Sequence, residues 1–274
     1  MIAGPRQFSV GTFNLHAGVD GWGRPFDVVA ACRAVDTDVL VLQECWSPET
    51  GPGDAQRIGS ALGYTVLEHP LAHGRRGRAD PRADHRWVRP MAWYGTGHAL
   101  YLDSERRLPS SITTARRYRE AELGTLGLAI LSRLPVRHHK LIDLGRLGRD
   151  RVRRAALVVR VGIDDRDATV VGTHMAHLTY GAPLHYRALG RALAAGLGDG
   201  PAVLAGDMNL WGPPVRALLP GWHRAVKGRT WPAWRPHSQI DHILVRGPLN
   251  VVSGAVLGAA GSDHRPVRAI LGVP

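Results

Sequence analysis

Apolar positions fall into short runs whose spacing switches between the period of a strand and that of a helix. "FSVGTFNL" (8–15) predicts a strand, and "FDVVAACRAV" (26–35) has helical spacing. "DVLVLQE" (38–44) is nearly continuous in apolar residues before it ends in Gln-Glu, which suits a strand buried on both faces. "AQRIGSALG" (55–63) predicts a helix stopped by Gly63, and "YTVLEH" (64–69) a further short strand.

The rhythm breaks over 73–123. "HGRRGRADPRADHRWVRP" (73–90) is polar, arginine-rich and punctuated by proline, and so predicts a loop. "MAWYGTGHALYL" (91–102) predicts a strand or hairpin, and "ERRLPSSITTARRYREAE" (105–122) is again charged. Regularity returns with "LGLAILSRLPV" (126–136). "RRAALVVRVG" (153–162) and "ATVVGTHM" (168–175) read as paired strands around an Asp-rich turn at 164–167. "LHYRALGRALAAGLG" (184–198) predicts a helix and "PAVLAGDMN" (201–209) a buried strand with a polar end. "QIDHILVRG" (239–247), "VVSGAVLG" (251–258) and "RPVRAILG" (265–272) close the chain as strands. With no internal repeat and no linker, residues 1–274 are expected to form one α/β domain.

Charge limits the partners. The formal net charge is +12, from 35 basic and 23 acidic residues, which suits nucleic acid, an anionic membrane surface or a phosphorylated small molecule. Only Lys140 and Lys227 are lysines; the other 33 basic residues are arginine, and the coding bias of a GC-rich gene explains that choice as well as phosphate binding does. Two cysteines, Cys32 and Cys45, make no disulfide scaffold. No secretory leader and no run of ~20 apolar residues is visible, so a cytoplasmic monomer without an obligate protein partner is expected.

Several apolar runs end in residues that bind metals or move protons. Asn14 ends the first strand, Glu44 the second and His174 the "VVGTH" strand. Asp207 and Asn209 follow "VLAG", Asp241 sits inside "IDHIL", and Asp263-His264 precede the last strand. Taken singly each is ordinary: a Gly-Asp after a strand is often only a turn. Their joint order says more. "TFNL" (12–15), "LQE" (42–44), "LSRLP" (131–135), "THMAH" (173–177), "GDMN" (206–209), "QIDHIL" (239–244) and "SDHRPV" (262–267) resemble, in order, the motifs of the endonuclease/exonuclease/phosphatase superfamily. The resemblance spans about residues 8–271. It implies a four-layer sandwich of two packed mixed β-sheets flanked by helices, and a phosphoesterase dependent on Mg2+, with Mn2+ as a substitute.

Phosphoester hydrolysis needs charge neutralised on the phosphate, a water aimed in line, and a stabilised leaving oxygen. Magnesium takes hard oxygen donors and only one or two protein carboxylates. Glu44 is the candidate principal ligand, against the alternative of a salt bridge to an arginine, with the Asn14 carbonyl beside it. Neighbouring strand residues point to opposite faces, so of Asp241 and His242 only one can face the site. The family pattern selects Asp241, which is then expected to orient His264 and raise its pKa. Asp263 is expected near the metal, directly or through water. Asp207 and Asn209, two apart, would share a face of an extended segment. The resemblance implies that they position the attacking water and a phosphate oxygen, and that His174 donates to the phosphate. Either Asp207 or the Asp241–His264 pair is the general base.

Arg154 matches a family position often basic and near substrate, with Arg153 on the opposite face. His16 stands where apurinic endonucleases commonly carry Asp, which weakens a DNA-repair reading; it contacts phosphate or is structural. "GRTWPAWRPHS" (228–238) is a candidate substrate loop, and its Trp231 lies in a Thr-Trp-Pro resembling a superfamily motif. In the 73–123 insert, arginines interleave with Trp87, Trp93, Tyr94 and Tyr101. That mixture fits DNA or RNA, a membrane interface, or a solvated loop. Nucleic acid is the favoured substrate; phospholipids, sugar phosphates and a non-catalytic binding module are the alternatives.

Overall fold

The computed structural model describes residues 6–21, 24–76, 100–103, 122–148, 150 and 152–274. The strands form two mixed sheets. The first holds β1 (Arg6–Asn14), β2 (Val39–Pro48), β3 (Thr65–Arg76), β4 (Leu100–Asp103), β5 (Glu122–Ser132), β12 (Asn250–Val256) and β13 (Val267–Val273), in the order β12-β13-β1-β2-β5-β3-β4. The second holds β6 (Val136–Gly145), β7 (Arg154–Ile163), β8 (Arg166–His174), β9 (Ala202–Asp207), β10 (His223–Arg224) and β11 (Asp241–Arg246), in the order β10-β11-β9-β8-β7-β6.

The inner faces meet through β-branched residues, Val10, Val39, Val41 and Ile130 from the first sheet and Val159, Val170, Val203 and Ile243 from the second. At the contact, a Cβ on Gly172 would come within 2.7 Å of Val41 and 3.0 Å of Ile130, so glycine is what lets β8 approach the opposite sheet. Helices α1 (Val28–Val35) and α2 (Asp54–Leu62) cover the first sheet, packing Val28, Cys32, Val35 and Ile58 with Phe13, Leu40 and Leu42. Helices α3 (Ala182–Gly196) and α4 (Gly212–Leu218) cover the second, packing Tyr186, Leu189 and Val215 with Val171, Leu204 and Leu244. The four layers expected from the resemblance are present.

One pair in each sheet is parallel, β1 with β2 and β8 with β9, and a helix joins each pair. The carboxyl ends of both pairs lie at one edge of the sandwich, where Asn14 at the end of β1 meets Asp207 at the end of β9; ligands of α/β folds collect at such ends. β11 runs antiparallel to β9 and β13 antiparallel to β1, so their amino ends arrive at the same edge.

Several boundaries differ from the sequence reading. Asp27 caps α1, its carboxylate accepting from Val29 and Ala30 N–H at 3.0 Å, and so the helix starts at 28 rather than 26. β2 continues past Glu44 to Pro48, and Cys45 lies within it. β3 runs to Arg76 and pairs with β4, so the ends of the expected 73–123 loop are strand. Trp87, Trp93, Tyr94 and the arginines beyond Arg76 in that insert lie outside the described residues. β6 was not predicted; it is a mostly exposed edge strand, "VRHHKLIDLG", with no apolar alternation to betray it. Short α4 was not predicted either.

Candidate active site

At the shared edge, residues from both sheets converge. Asn14 ends β1, and its side-chain NH2 donates to Glu44 Oε1 at 3.2 Å and to Asp207 Oδ2 at 3.1 Å. One amide thus ties a carboxylate of each sheet together. Its oxygen, the expected metal donor, accepts the His16 N–H at 2.9 Å.

Glu44 reaches the site through an irregularity. The β2–β5 register shifts between Gln43 and Cys45, and Glu44, at φ +53°, is the extra residue of a bulge. Without the bulge Glu44 would follow Leu40 and Leu42 toward α1 and α2; with it, Cys45 takes that apolar place. On β9, Gly206 (φ +152°) leaves room for the Thr173 carbonyl, 1.9 Å from where a Cβ would lie, and Asp207 falls in register with His174. Asp207 Oδ1 accepts the Asn209 N–H at 2.8 Å. Asn209 has φ +49°, so the pair meets through a turn rather than along the extended segment expected. The Asn209 side chain donates to the Met175 carbonyl at 3.0 Å and lies 3.3 Å from His174 Nε2.

Asp241 is paired in register with Asp207 and is fully buried. Both its oxygens face His264 Nδ1, at 3.0 and 2.9 Å. The other nitrogen of His264 lies 3.8 Å from Asp207 Oδ2 and 3.9 Å from Asp263 Oδ1. His242 turns away, its Nε2 against the Leu210 carbonyl at 2.9 Å. Two residues that sequence reasoning gave no role complete the frame. Ser262 donates to the Asn14 carbonyl at 2.7 Å and accepts the His264 N–H, and Thr230 accepts the Ile240 and Asp241 N–H groups at 3.2 Å. Their only sequence signal is adjacency, in "SDH" and "RTW".

The charges are strongly coupled. Burial would push the His264 imidazole down, but Asp241, Asp263 and Asp207 outweigh it and hold it well above the ordinary histidine range. Burial, then the charge of Asp241, pushes Asp207 up from 3.8 to about 7. Burial, Arg154 and His264 push His174 well down, so it is neutral at pH 7, with Nε2 3.6 Å from Asp207 and 3.8 Å from Glu44. Burial would raise Asp263, but His16, His264 and the Trp231 N–H hold it below the usual carboxylate value.

The remaining candidates surround this group. Trp231 donates its indole N–H to Asp263 at 3.2 Å, and His16 Nδ1 lies 3.1 Å from the Val19 carbonyl and 3.4 Å from Asp263. Arg154 is 6% exposed; its Nε meets Asp150 at 2.8 Å and a terminal nitrogen reaches the His174 carbonyl at 3.5 Å, so the guanidinium sits behind the site. Arg153 is exposed and paired with Asp143.

The donor set fits a hard divalent cation. Four carboxyl groups, of Glu44, Asp207, Asp241 and Asp263, gather around the His174 and His264 imidazoles, an oxygen-rich set of the kind such an ion takes. Asp207, Asp241 and His264 lie close enough together to share an ion, with ligand atoms within 4.8 Å of one another, but Asp241 and His264 are already committed to each other. Glu44 has the most exposed carboxylate, at 18% against 12% for Asp263, 3% for Asp207 and 1% for Asp241.

A model described as the Endonuclease/Exonuclease/phosphatase family matches residues 11–264. Comparison with curated proteins gives no match. Among solved structures, an endonuclease/exonuclease/phosphatase from Beutenbergia cavernae is 20% identical, with a TM-score of 0.65 over 98% of this chain and 72% of that one. The human Nocturnin catalytic domain with bound sulfate is 17% identical, with a TM-score of 0.62 over 98% and 94%. A humanized D. rerio TDP2 is 14% identical, with a TM-score of 0.59 over 97% and 99%. These likenesses carry the fold.

Proposed function

Because the chain belongs to the endonuclease/exonuclease/phosphatase family of phosphoester hydrolases, we propose that it is a divalent-metal-dependent phosphodiesterase whose favoured substrate is nucleic acid. The observation that carries the reading is the link across the sandwich: Asn14 ties Glu44 to Asp207, and Asp207 faces the Asp241–His264 pair. The net charge of +12 supports a polyanionic substrate.

Glu44 would hold Mg2+ or Mn2+, with Asp263 as a further oxygen donor. The cation supplies charge neutralisation on the phosphate oxygens and stabilises the leaving oxygen. Asp207, whose burial and neighbour Asp241 raise its affinity for a proton, would accept one from the attacking water. Its position is set by the Asn14 and Asn209 donors. Asp241 holds His264 protonated through Nδ1, which leaves its Nε2–H to donate to a phosphate oxygen. Neutral His174 stands at the same edge, its Nε2 accepting from the Asn209 NH2; a phosphate oxygen would take the Nε2–H only in the other tautomer, with that contact given up.

A phospholipid is the second reading, favoured by Leu178, Tyr180 and Leu184, which are 41%, 42% and 58% exposed just after the His174 strand. The test is a panel of single- and double-stranded DNA, RNA, sphingomyelin, inositol phosphates and a generic phosphodiester, each with Mg2+, Mn2+ or chelator. Metal-dependent cleavage of nucleic acid is expected. Turnover unaffected by chelator, or none on any phosphoester, would overturn the proposal.

A further inference from the structure

We propose that the rim beside Asn209 is a track for a single-stranded nucleic acid, with Trp211 as a base-stacking platform and Arg216 and Arg224 as phosphate contacts. This rests on the phosphodiesterase reading above and extends it to the residues that choose the substrate.

Trp211 follows the site residue Asn209 by two positions and is the N-cap of α4. Its indole is 51% exposed, whereas Trp46 and Trp222 are 1% and 4% exposed. An aromatic ring left in water two residues from Asn209 is free to stack on a planar base. Beside it, Pro213, Arg216, Ala217 and Arg224 line an open cleft of about 310 Å³.

The two guanidinium groups in that cleft are available. Neither Arg216 nor Arg224 has a carboxylate partner among the described residues; Arg224 makes one hydrogen bond, to the Gln239 amide oxygen at 3.3 Å. Arg224 is in register with Leu244, three residues along β11 from Asp241. At ~3.3 Å per residue, that places it roughly 10 Å from the catalytic edge. Leaving the site, a strand would thus meet first an aromatic face and then two planar cations. That sequence suits stacked bases on a phosphodiester backbone. Acyl chains would need a wholly apolar floor, whereas two of the four lining residues here are arginines; exposed Leu178 and Leu184 lie elsewhere, in the turn after β8 and the first turn of α3.

The test is binding of a short labelled single-stranded DNA, followed by fluorescence anisotropy in chelating buffer, so that affinity is read without turnover. Trp211→Ala should weaken binding roughly 5- to 150-fold, the range seen for one base stack. Arg216→Ala and Arg224→Gln should each lower the slope of log affinity against log salt by ~0.7. Val252→Ala, on the remote exposed strand β12, should bind as the unaltered protein does. Thermal melts of all four variants verify their folding. Unchanged affinity in both Trp211→Ala and Arg216→Ala would overturn the track. So would losses seen only with phosphatidylserine vesicles and not with DNA. The two readings fail separately. Weaker DNA binding by the variants of a protein that cleaves no phosphoester would sustain the track and remove the enzyme. Normal cleavage with unaffected variants would do the reverse.

Discussion

Asp207→Asn should change the stability of the metal-free protein in opposite directions at low and high pH. Asp207 is raised from 3.8 to about 7 by burial and by Asp241. Between those values the folded state keeps a proton that the unfolded chain has already lost, so stability falls as pH rises through that window. At ~1.4 kcal/mol per pH unit, the ionised form costs the fold on the order of 4 kcal/mol above pH 7. Asparagine removes this cost. It also places an NH2 where Asp207 Oδ2 accepts from Asn14, and a buried donor facing a donor costs about 1–3 kcal/mol at any pH. The variant should therefore be less stable than the unaltered protein by ~1–3 kcal/mol at pH 4, and more stable by a similar amount at pH 8. For a chain of this length that is ~2 °C of melting temperature per kcal/mol, read by differential scanning calorimetry with chelator present. Hydrolysis should fall ~10²- to 10⁴-fold, because the proposed base is gone. A shift of the same sign at both pH values would refute the argument, since it would mean that Asp207 carries no ionisation cost.

Asp241→Asn should lower kcat ~10²- to 10⁴-fold with little change in KM, because His264 loses the partner that orients and charges it; a loss confined to KM would count against that role. Glu44→Ala should abolish the heat of Mg2+ binding in titration calorimetry together with hydrolysis, and retained binding would remove Glu44 from the metal. Gly172→Val should destabilise the sandwich by ~1–3 kcal/mol in urea melts, because its side chain would collide with Val41 and Ile130; an unchanged midpoint would show that the sheets can separate there.

Much of this protein was legible from local pattern. The period of the apolar residues located α1, α2 and most of the inner strands, because burial on one or two faces is written at fixed spacing in the chain. It failed where burial was absent: β6, exposed along most of its length, has no alternation to read. Most of the polar residues that meet at this edge were legible as well, because they stand at the polar ends of apolar runs in an order that a family resemblance recognises; Ser262 and Thr230 were not. Their arrangement was not. Glu44 turns to the site only because β2 bulges, and that bulge is defined by its pairing with β5, some 80 residues further along the chain. Asn14 directs its NH2, rather than its oxygen, at the carboxylates because the His16 N–H claims the oxygen. Arg154 lies behind His174 because Asp150 holds it there, and no local spacing distinguishes that from a side chain facing substrate. Strand direction, register and the choice of hydrogen-bond partner arise between segments distant in sequence. The chain alone therefore named most of the polar groups that meet at this edge, and the packing of two sheets decided how they face one another.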